Sequence, residues 1–306
     1  MATALPPAAP AAADALTPFV FEYAAIRGAV VRLTGVTRAI LACHAYPAPV
    51  ARALGELLAA TALLASTLKL DGSLIAQLSG NGPLRLLVVE CDGTLALRAT
   101  AQWSEEQVAA LGADASLAAL AGSPAAARLV ITLDPRTSGS LYQGIVALDG
   151  DSVARSIEHY LTTSEQLQSR LRLDVREGEA AGVLLQRLPA STADDEAVWR
   201  RATTSLDDAE LQVLHAAAPL DLLHALFASD DLRVFPARGA RFACKCSQAR
   251  AENALRIAGR DEVEAALADA GTVEVTCEYC GRVYRFDPVA ARALFAALPG
   301  GSGPTS

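Results

Sequence analysis

The chain has 306 residues, which is enough for one large domain or two unequal ones. Its 34 acidic and 26 basic side chains give a formal net charge of −8, which argues against nucleic acid as a partner because no basic surface is available to contact phosphates. Hydrophobic residues make up 52% of the chain and aromatic residues only 5%, a composition typical of a helix-rich globular protein rather than a membrane protein.

The N-terminal end lacks the features of an export signal. Residues 1–13 contain no Lys or Arg and are interrupted by prolines, so we predict a disordered tail over residues 1–16. The longest apolar stretch, residues 57–68, is shorter than the about 20 residues that cross a membrane. We therefore expect a cytoplasmic protein with no membrane partner. In a reducing compartment its six cysteines are expected to be thiols or metal ligands rather than structural disulfides.

Residues 17–190 mix strand and helix patterns without a fixed repeat. Strands are predicted at residues 19–23, 30–33, 84–89, 129–133 and 140–148. Helices are predicted at residues 49–69, where leucines recur on one stripe, and at residues 152–162. We expect an N-terminal core domain of the α+β class, in which a mixed sheet packs with helices.

Residues 191–236 are acidic and helical in pattern. They hold nine acidic and three basic side chains, and Ser205 and Pro219 are predicted to begin two short amphipathic helices. Concentrated like charge opposes compaction, and helices this short are marginal alone, so the segment should fold only by docking on something. We interpret it as a metastable helical linker between two domains; a solvated connector would have the same pattern.

The linker helices carry an apolar face. In one interpretation this face buries against the N-terminal domain, and in the other it becomes available to a partner when the helices undock. Both interpretations hold for a protein that switches, since surface hidden on docking becomes available on undocking. The residues in question are Leu206, Leu211, Leu214, Leu220, Leu223 and Phe227.

Residues 237–299 form a predicted small C-terminal domain, followed by a disordered tail at 300–306. Ser247 is predicted to cap a helix over residues 248–258, and a second helix follows at 262–270. Two short strands are predicted at residues 272–276 and 282–286. Asp287 and Pro288 then begin a last helix that ends near Leu298.

Four of the six cysteines lie in this small domain, as Cys244 and Cys246 and, 30 residues later, Cys277 and Cys280. Two close pairs of thiolates suit a tetrahedral zinc ion, each pair supplying one edge, and Gly281 suits a tight turn beside the second pair. A domain of about 60 residues has a thin core, so bound metal would supply much of its folding free energy.

Other interpretations of these cysteines remain open. The alternatives are two unrelated pairs of thiols, a thioredoxin-like redox pair and the ligands of an iron–sulfur cluster. In a thioredoxin-like redox pair the first thiol commonly lies at a helix N-terminus. Here Cys280 is followed by Gly281 and a predicted strand instead. The spacing of Cys244 and Cys246 is unusual for a purely structural zinc site, whose ligands are commonly two to four residues apart.

Other polar and thiol side chains have simpler interpretations. Cys43 and Cys91 have no partner at metal spacing and are interpreted as small core residues. His215 and His224 lie on the linker and are expected at a surface or a docking contact, since four thiolates already complete a zinc site. The remaining residues are expected to act as caps, packing contacts or a turn rather than in catalysis: Glu158, Ser164, Glu165 and residues 80–83.

The chain resembles the redox-regulated 33 kDa heat-shock chaperone family over nearly its whole length. The cysteine pattern is CKC, 30 residues and CEYCG. Further matches are TLKLDGSLIAQLSGNGPLRLLVVE from Thr67, YQGIVALDGDSVARSIEHYLTTSEQLQSRL from Tyr142 and GVLLQRLP from Gly182. The Ala/Pro-rich N-terminus and the Gly/Ser-containing C-terminal tail lie outside the resemblance.

The resemblance implies an ATP-independent holdase and not an enzyme. In the reduced, inactive state the four cysteines would hold one Zn²⁺ per chain. Oxidants would then form disulfides between Cys244 and Cys246 and between Cys277 and Cys280, release the zinc and unfold the C-terminal domain and linker. The exposed apolar surface would bind unfolding client proteins, with formation of a homodimer on activation. The candidate client-binding surface is the apolar face of the linker helices: Leu206, Leu211, Leu214, Leu220, Leu223 and Phe227.

Two other classes of function are kept as alternatives. One is a constitutive zinc-stabilised interaction module whose thiols are only structural, for which zinc would stay bound through mild peroxide. The other is an oxidoreductase that uses Cys277 and Cys280, for which a dithiol substrate would turn over without metal.

Overall fold

A computed structural model describes residues 14–68, 71–135, 141–148, 152–189, 192, 195–215 and 218–296. The chain divides into two compact units, and the division falls between Ala243 and Cys244. The disordered tails predicted for residues 1–13 and 300–306 lie outside the described residues.

The first unit contains both strands and helices, interspersed along the chain. Its core portion contains β1 (Asp14–Phe21), β2 (Ile26–Leu33), α1 (Gly35–Leu41), α2 (Ala48–Thr67), β3 (Gly72–Ser79), β4 (Leu84–Asp92), β5 (Ala96–Trp103), α3 (Glu105–Leu111), α4 (Leu117–Ala121), β6 (Arg128–Pro135), β7 (Tyr142–Ala147), α5 (Val153–Thr163), β8 (Ser169–Arg176) and β9 (Glu179–Arg187). It continues with α6 (Asp195–Asp208), a 3-10 helix (Leu211–His215), α7 (Pro219–Phe227), β10 (Leu232–Val234), β11 (Arg238–Gly239) and β12 (Arg241–Phe242).

Two sheets of the first unit enclose α2. One sheet has the strand order β10-β1-β2-β9-β8, with β11 beside β1, and the other has the order β12-β5-β4-β3-β6-β7. Leucine and alanine side chains cover most of the α2 surface, so the helix packs on strands of both sheets at once. Burial of this apolar surface is the main stabilising contribution to the unit.

Among the described helices, α2 alone is long and apolar enough to cross a membrane by length and composition. However, 78% of its apolar window is buried inside the first unit. A helix that is apolar on all sides is expected at the centre of a large core as well as in a membrane. The position of α2 between two sheets accounts for its composition.

The linker helices lie on the opposite face of the first sheet from α2. Apolar residues of α6, the 3-10 helix and α7 form a second core with the side chains of β1, β2 and β9 that point away from α2. Alternate residues of β9 illustrate the division: Val183 and Leu185 face the linker helices, whereas Leu184 belongs to the core around α2.

The second unit is a small α+β fold with its own core. It contains α8 (Gln248–Ala258), α9 (Arg260–Ala270), β13 (Val273–Thr276), β14 (Val283–Phe286) and α10 (Pro288–Ala296). β13 and β14 pair as an antiparallel hairpin. The three helices and the hairpin enclose a few apolar side chains: Ala251, Leu255, Val263, Leu267, Val273, Phe286 and Ala291.

The α+β class predicted from the sequence is confirmed, and several helix boundaries agree closely. Ser247 accepts a hydrogen bond from the Arg250 amide and caps α8, and Asp287 accepts one from the Ala290 amide at the start of α10. Pro219 begins α7 as predicted. The predicted end of the last helix, Leu298, lies outside the described residues.

Three boundaries differ from the sequence prediction. Residues 14–16, assigned to the tail, begin β1 because they pair with β2. Ser205 lies within α6 and does not begin a helix, since that helix already starts at Asp195. Residues 237–243, assigned to the C-terminal domain, lie in the first unit because β11 pairs with β1 and β12 pairs with β5.

Candidate metal centre

The first cysteine pair lies immediately before a helix. Cys244 and Cys246 precede α8, and Ser247 fixes the start of that helix through its side chain. The backbone amide of Cys246 is hydrogen-bonded to the sulfur of Cys244. The two cysteines are therefore close in the chain and also in direct contact, and this contact orients the thiol of Cys244.

The second cysteine pair is carried by the turn of the β13–β14 hairpin. The amide of Cys277 donates to the carbonyl of Arg282 at 2.9 Å, and the amide of Gly281 donates to the carbonyl of Cys277 at 2.8 Å. Gly281 has φ +68°, in the left-handed region that favours glycine. This turn brings Cys277 and Cys280 to the same end of the hairpin, which agrees with the tight turn predicted from the sequence.

The four thiols converge. All four sulfur atoms lie within 4.8 Å of one another, although the two pairs are far apart in the chain. Cys244 Sγ lies 3.6 Å from Cys277 Sγ, and Cys246 Sγ lies 3.5 Å from Cys280 Sγ. A tetrahedral site with zinc–sulfur bonds of about 2.3 Å has sulfur–sulfur edges of about 3.8 Å. The donor set and its spacing therefore fit a metal ion bound by four thiolates.

Hydrogen bonds to the sulfurs support this arrangement. The Tyr284 hydroxyl on β14 donates to Cys246 Sγ at 3.1 Å. The backbone amide of Arg282 is hydrogen-bonded to the sulfur of Cys280. Donors of this kind orient metal-bound thiolates and delocalise part of their negative charge.

The thiol pKa values differ strongly within the cluster. Burial raises the pKa of Cys280 to about 12, and its three neighbouring thiols act in the same direction. Burial also opposes ionisation of Cys246, but the hydrogen bonds from Tyr284 and the other thiols lower its pKa to about 7. Cys246 consequently supplies a thiolate more readily than Cys280, and a cation would be needed to hold several thiolates together.

The two cysteines outside the cluster lie elsewhere in the fold. Cys91 is fully buried on β4 in the core around α2, as predicted. Cys43 is half-buried just after α1, and its thiol lies 3.2 Å from the Ala39 carbonyl. Both cysteines belong to the first unit, whereas the four convergent thiols belong to the second.

The polar residues of the α5 region make structural contacts. Ser164 is the C-cap of α5, and Glu165 accepts a hydrogen bond from the Tyr160 hydroxyl at 2.7 Å. Glu158 accepts one from the Leu171 amide at 2.6 Å. These contacts agree with the interpretation of the three residues as caps and packing contacts.

The predicted client-binding residues fall into two groups. Leu206, Leu214, Leu223 and Phe227 are buried against the first sheet. Leu211 and Leu220 are exposed. The structure therefore shows most of this face in its docked position, where it is covered.

Two features were not predicted from the sequence. No motif singled out Tyr284 as a partner of the cysteines, because which β14 side chain faces the sulfurs depends on the hairpin register. His215 lies at a docking contact, one of the two predicted positions, but its two carboxylate partners, Glu179 and Asp174, were not predicted. His224 is exposed on α7.

Comparison with known proteins matches nearly all of the chain to one protein family. The family model described as "Hsp33 protein" matches residues 14–287. A 33 kDa chaperonin of Chromobacterium violaceum is 41% identical over 283 residues, covering 92% of this chain and 94% of the relative. A 33 kDa chaperonin of Shewanella loihica is 38% identical over 288 residues, covering 94% and 97% of the two chains.

A solved structure has a similar fold. The 33 kDa chaperonin (heat shock protein 33 homolog) of Thermotoga maritima aligns with a TM-score of 0.78 at 20% identity. The alignment covers 92% of this chain and 98% of that one. This similarity concerns the fold, whereas the sequence relatives carry the relationship at the level of the family.

Proposed function

Because this chain belongs to the Hsp33 protein family, we propose that it is a redox-regulated, ATP-independent holdase of the cytoplasm, inactive when reduced and zinc-bound. The observation that carries the proposal is the convergence of four thiols from two distant pairs in a unit with a thin core. Zinc, when bound, would cross-link the loop before α8 to the β13–β14 hairpin. The proposed ligands are Cys244, Cys246, Cys277 and Cys280.

Oxidation would remove the ligands in pairs. Following the family resemblance, Cys244 would join Cys246 and Cys277 would join Cys280. Each disulfide forms by loss of two electrons from two thiolates, and hydrogen peroxide accepts them with two protons to give two waters. The loops closed by these disulfides are too short to restrain the unfolded chain much, so the oxidised unit would lose its main stabilising cross-link.

The linker would supply the client-binding surface. Its buried apolar residues cover the face of the first sheet that carries Phe19 and Phe21, and Phe227 packs on both with ring centroids 5.9 and 5.5 Å apart. Undocking would expose both faces to unfolding proteins, and a second activated copy could form a homodimer through the same type of contact.

Light scattering from a thermally unfolding client tests the proposal. The reduced, zinc-loaded protein is compared with the same protein after peroxide at elevated temperature, and zinc release is measured in parallel. We expect suppression of aggregation only after oxidation. Suppression by both forms would refute the redox switch and favour a constitutive zinc-stabilised module, and suppression by neither would refute the holdase.

A ligand variant separates the metal assignment from the chaperone assay. Cys277→Ser should lower the zinc content of the purified reduced protein and leave suppression poorly controlled by peroxide. Cys43→Ser is the matched control, since Cys43 lies outside the cluster. Zinc content equal to that of the wild type in Cys277→Ser would refute the ligand assignment.

A further inference from the structure

Edge strand β8 displays a polar row to the linker. Leu171 and Leu173 of this strand belong to the core around α2, so the alternate side chains of Arg170, Arg172 and Asp174 point to the other face. The α6 helix and the 3-10 helix pack against β8 on that face.

The three side chains of this row contact the linker at three places, which follow one another in the linker sequence. Arg170 binds the Asp207 carboxylate with two hydrogen bonds of 2.7 and 2.5 Å. Arg172 donates to the Ala209 carbonyl at 2.8 Å. Asp174 Oδ2 lies 3.0 Å from His215 Nε2. Three residues at alternating positions thus fasten the end of α6 and the 3-10 helix.

His215 is held from two sides. Its Nδ1 lies 2.7 Å from Glu179 Oε1, while its Nε2 faces Asp174. The His215 side chain is only 12% exposed, so water competes weakly for these contacts. An ionised carboxylate only accepts hydrogen bonds, and a neutral imidazole carries one N–H. Both contacts are therefore hydrogen bonds only when the ring carries two protons.

We propose that the polar row of β8, together with Glu179, is a latch that keeps the linker docked, and that His215, which faces a carboxylate at each ring nitrogen, is part of this latch. That the latch opposes chaperone activation rests on the proposed function, whereas its role in keeping the linker docked does not.

The charged surroundings of His215 come from several elements. Arg32 of β2 lies 3.1 Å from Glu179 Oε1, and Arg176 of β8 lies 3.9 Å from Asp174 Oδ2. The side chain of Arg38 reaches Gly178 in the turn between β8 and β9, and Glu56 of α2 interacts with Asp174 electrostatically. The two arginines partly neutralise the two carboxylates that face His215.

Hydrogen exchange measured by mass spectrometry tests the latch in the reduced, zinc-loaded protein. The observable is the opening constant of peptides from α6 and the 3-10 helix. His215→Gln should raise it about tenfold. Asp207→Asn should raise it less, about twofold to fivefold, because that pair is more exposed.

His224→Gln is the matched control, since His224 is exposed on the same linker. Peptides from α2 should stay protected in every variant, which shows that the core remains folded. Wild-type opening constants in both His215→Gln and Asp207→Asn would overturn the proposal. If the linker opens as expected but peroxide-treated wild type fails to suppress client aggregation, the latch stands and the proposed function fails.

Discussion

Tyr284 gives a test of the metal centre at the scale of one hydroxyl group. Its O–H donates to Cys246 Sγ at 3.1 Å, and this bond stabilises the thiolate form. Tyr284→Phe removes the donor and leaves the ring in place. We expect a loss of about 10-fold to 100-fold in zinc affinity, measured by competition with a chromogenic chelator under reducing conditions.

The control for this substitution is Tyr23→Phe, because Tyr23 is 84% exposed in the first unit. Its zinc affinity should equal that of the wild type. An unchanged affinity in Tyr284→Phe would mean that the hydroxyl does not support the metal-bound sulfur. A fall in affinity accompanied by loss of helical circular dichroism would instead indicate a packing role for the ring.

Helix α7 docks on the first sheet through the aromatic side chain of Phe227. This side chain is 3% exposed and packs on the rings of Phe19 and Phe21, on one face of the sheet. Phe227→Ala should destabilise the docked linker by about 3 to 5 kcal/mol, since it removes a large buried side chain. We expect faster hydrogen exchange in α7 and partial suppression of client aggregation by the reduced protein.

Leu220→Ala is the matched control on the same helix, because Leu220 is 61% exposed. It should exchange and suppress aggregation as the wild type does. If Phe227→Ala leaves the reduced protein inactive although α7 exchanges faster, undocking of α7 alone is not sufficient to expose a client-binding surface.

Predictability from sequence differs among the elements of the linker and its surroundings. Pro219 marked the start of α7 because a proline suits the first helical turn whatever the tertiary context. Ser205 was wrong as a helix start because a serine also occurs inside helices, and α6 already begins at Asp195. β10, β11 and β12 have only two or three residues each, too few for a periodic pattern, and they form by pairing with strands far away in the chain.

The candidate site shows the same division between local and long-range information. The two cysteine pairs were recognisable because metal-ligand spacing is local. The contacts of Tyr284 with Cys246 and of His215 with Glu179 join residues 38 and 36 positions apart, and no local pattern encodes them. Side chains whose contacts depend on the three-dimensional arrangement of distant segments are therefore identified only once the structure is known.

At the scale of the whole molecule, the two units have cores of very different size. The core of the first unit surrounds α2 with apolar side chains from two sheets. The core of the second unit contains a few side chains, four of which are alanine or valine: Ala251, Val263, Val273 and Ala291. A small core rarely stabilises a unit of this length alone, so a bound metal should be required by the second unit and not by the first.

Removal of zinc under reducing conditions should therefore unfold the two units unequally. With a strong chelator and excess thiol reductant, we expect peptides from α8 to α10 to lose protection from hydrogen exchange while peptides from α2 and β4 keep it. Added zinc should restore protection, because no disulfide has formed to prevent religation. If the second unit keeps its protection without metal, its core of apolar side chains is sufficient, and oxidation would have to act on the fold by a route other than loss of the four ligands.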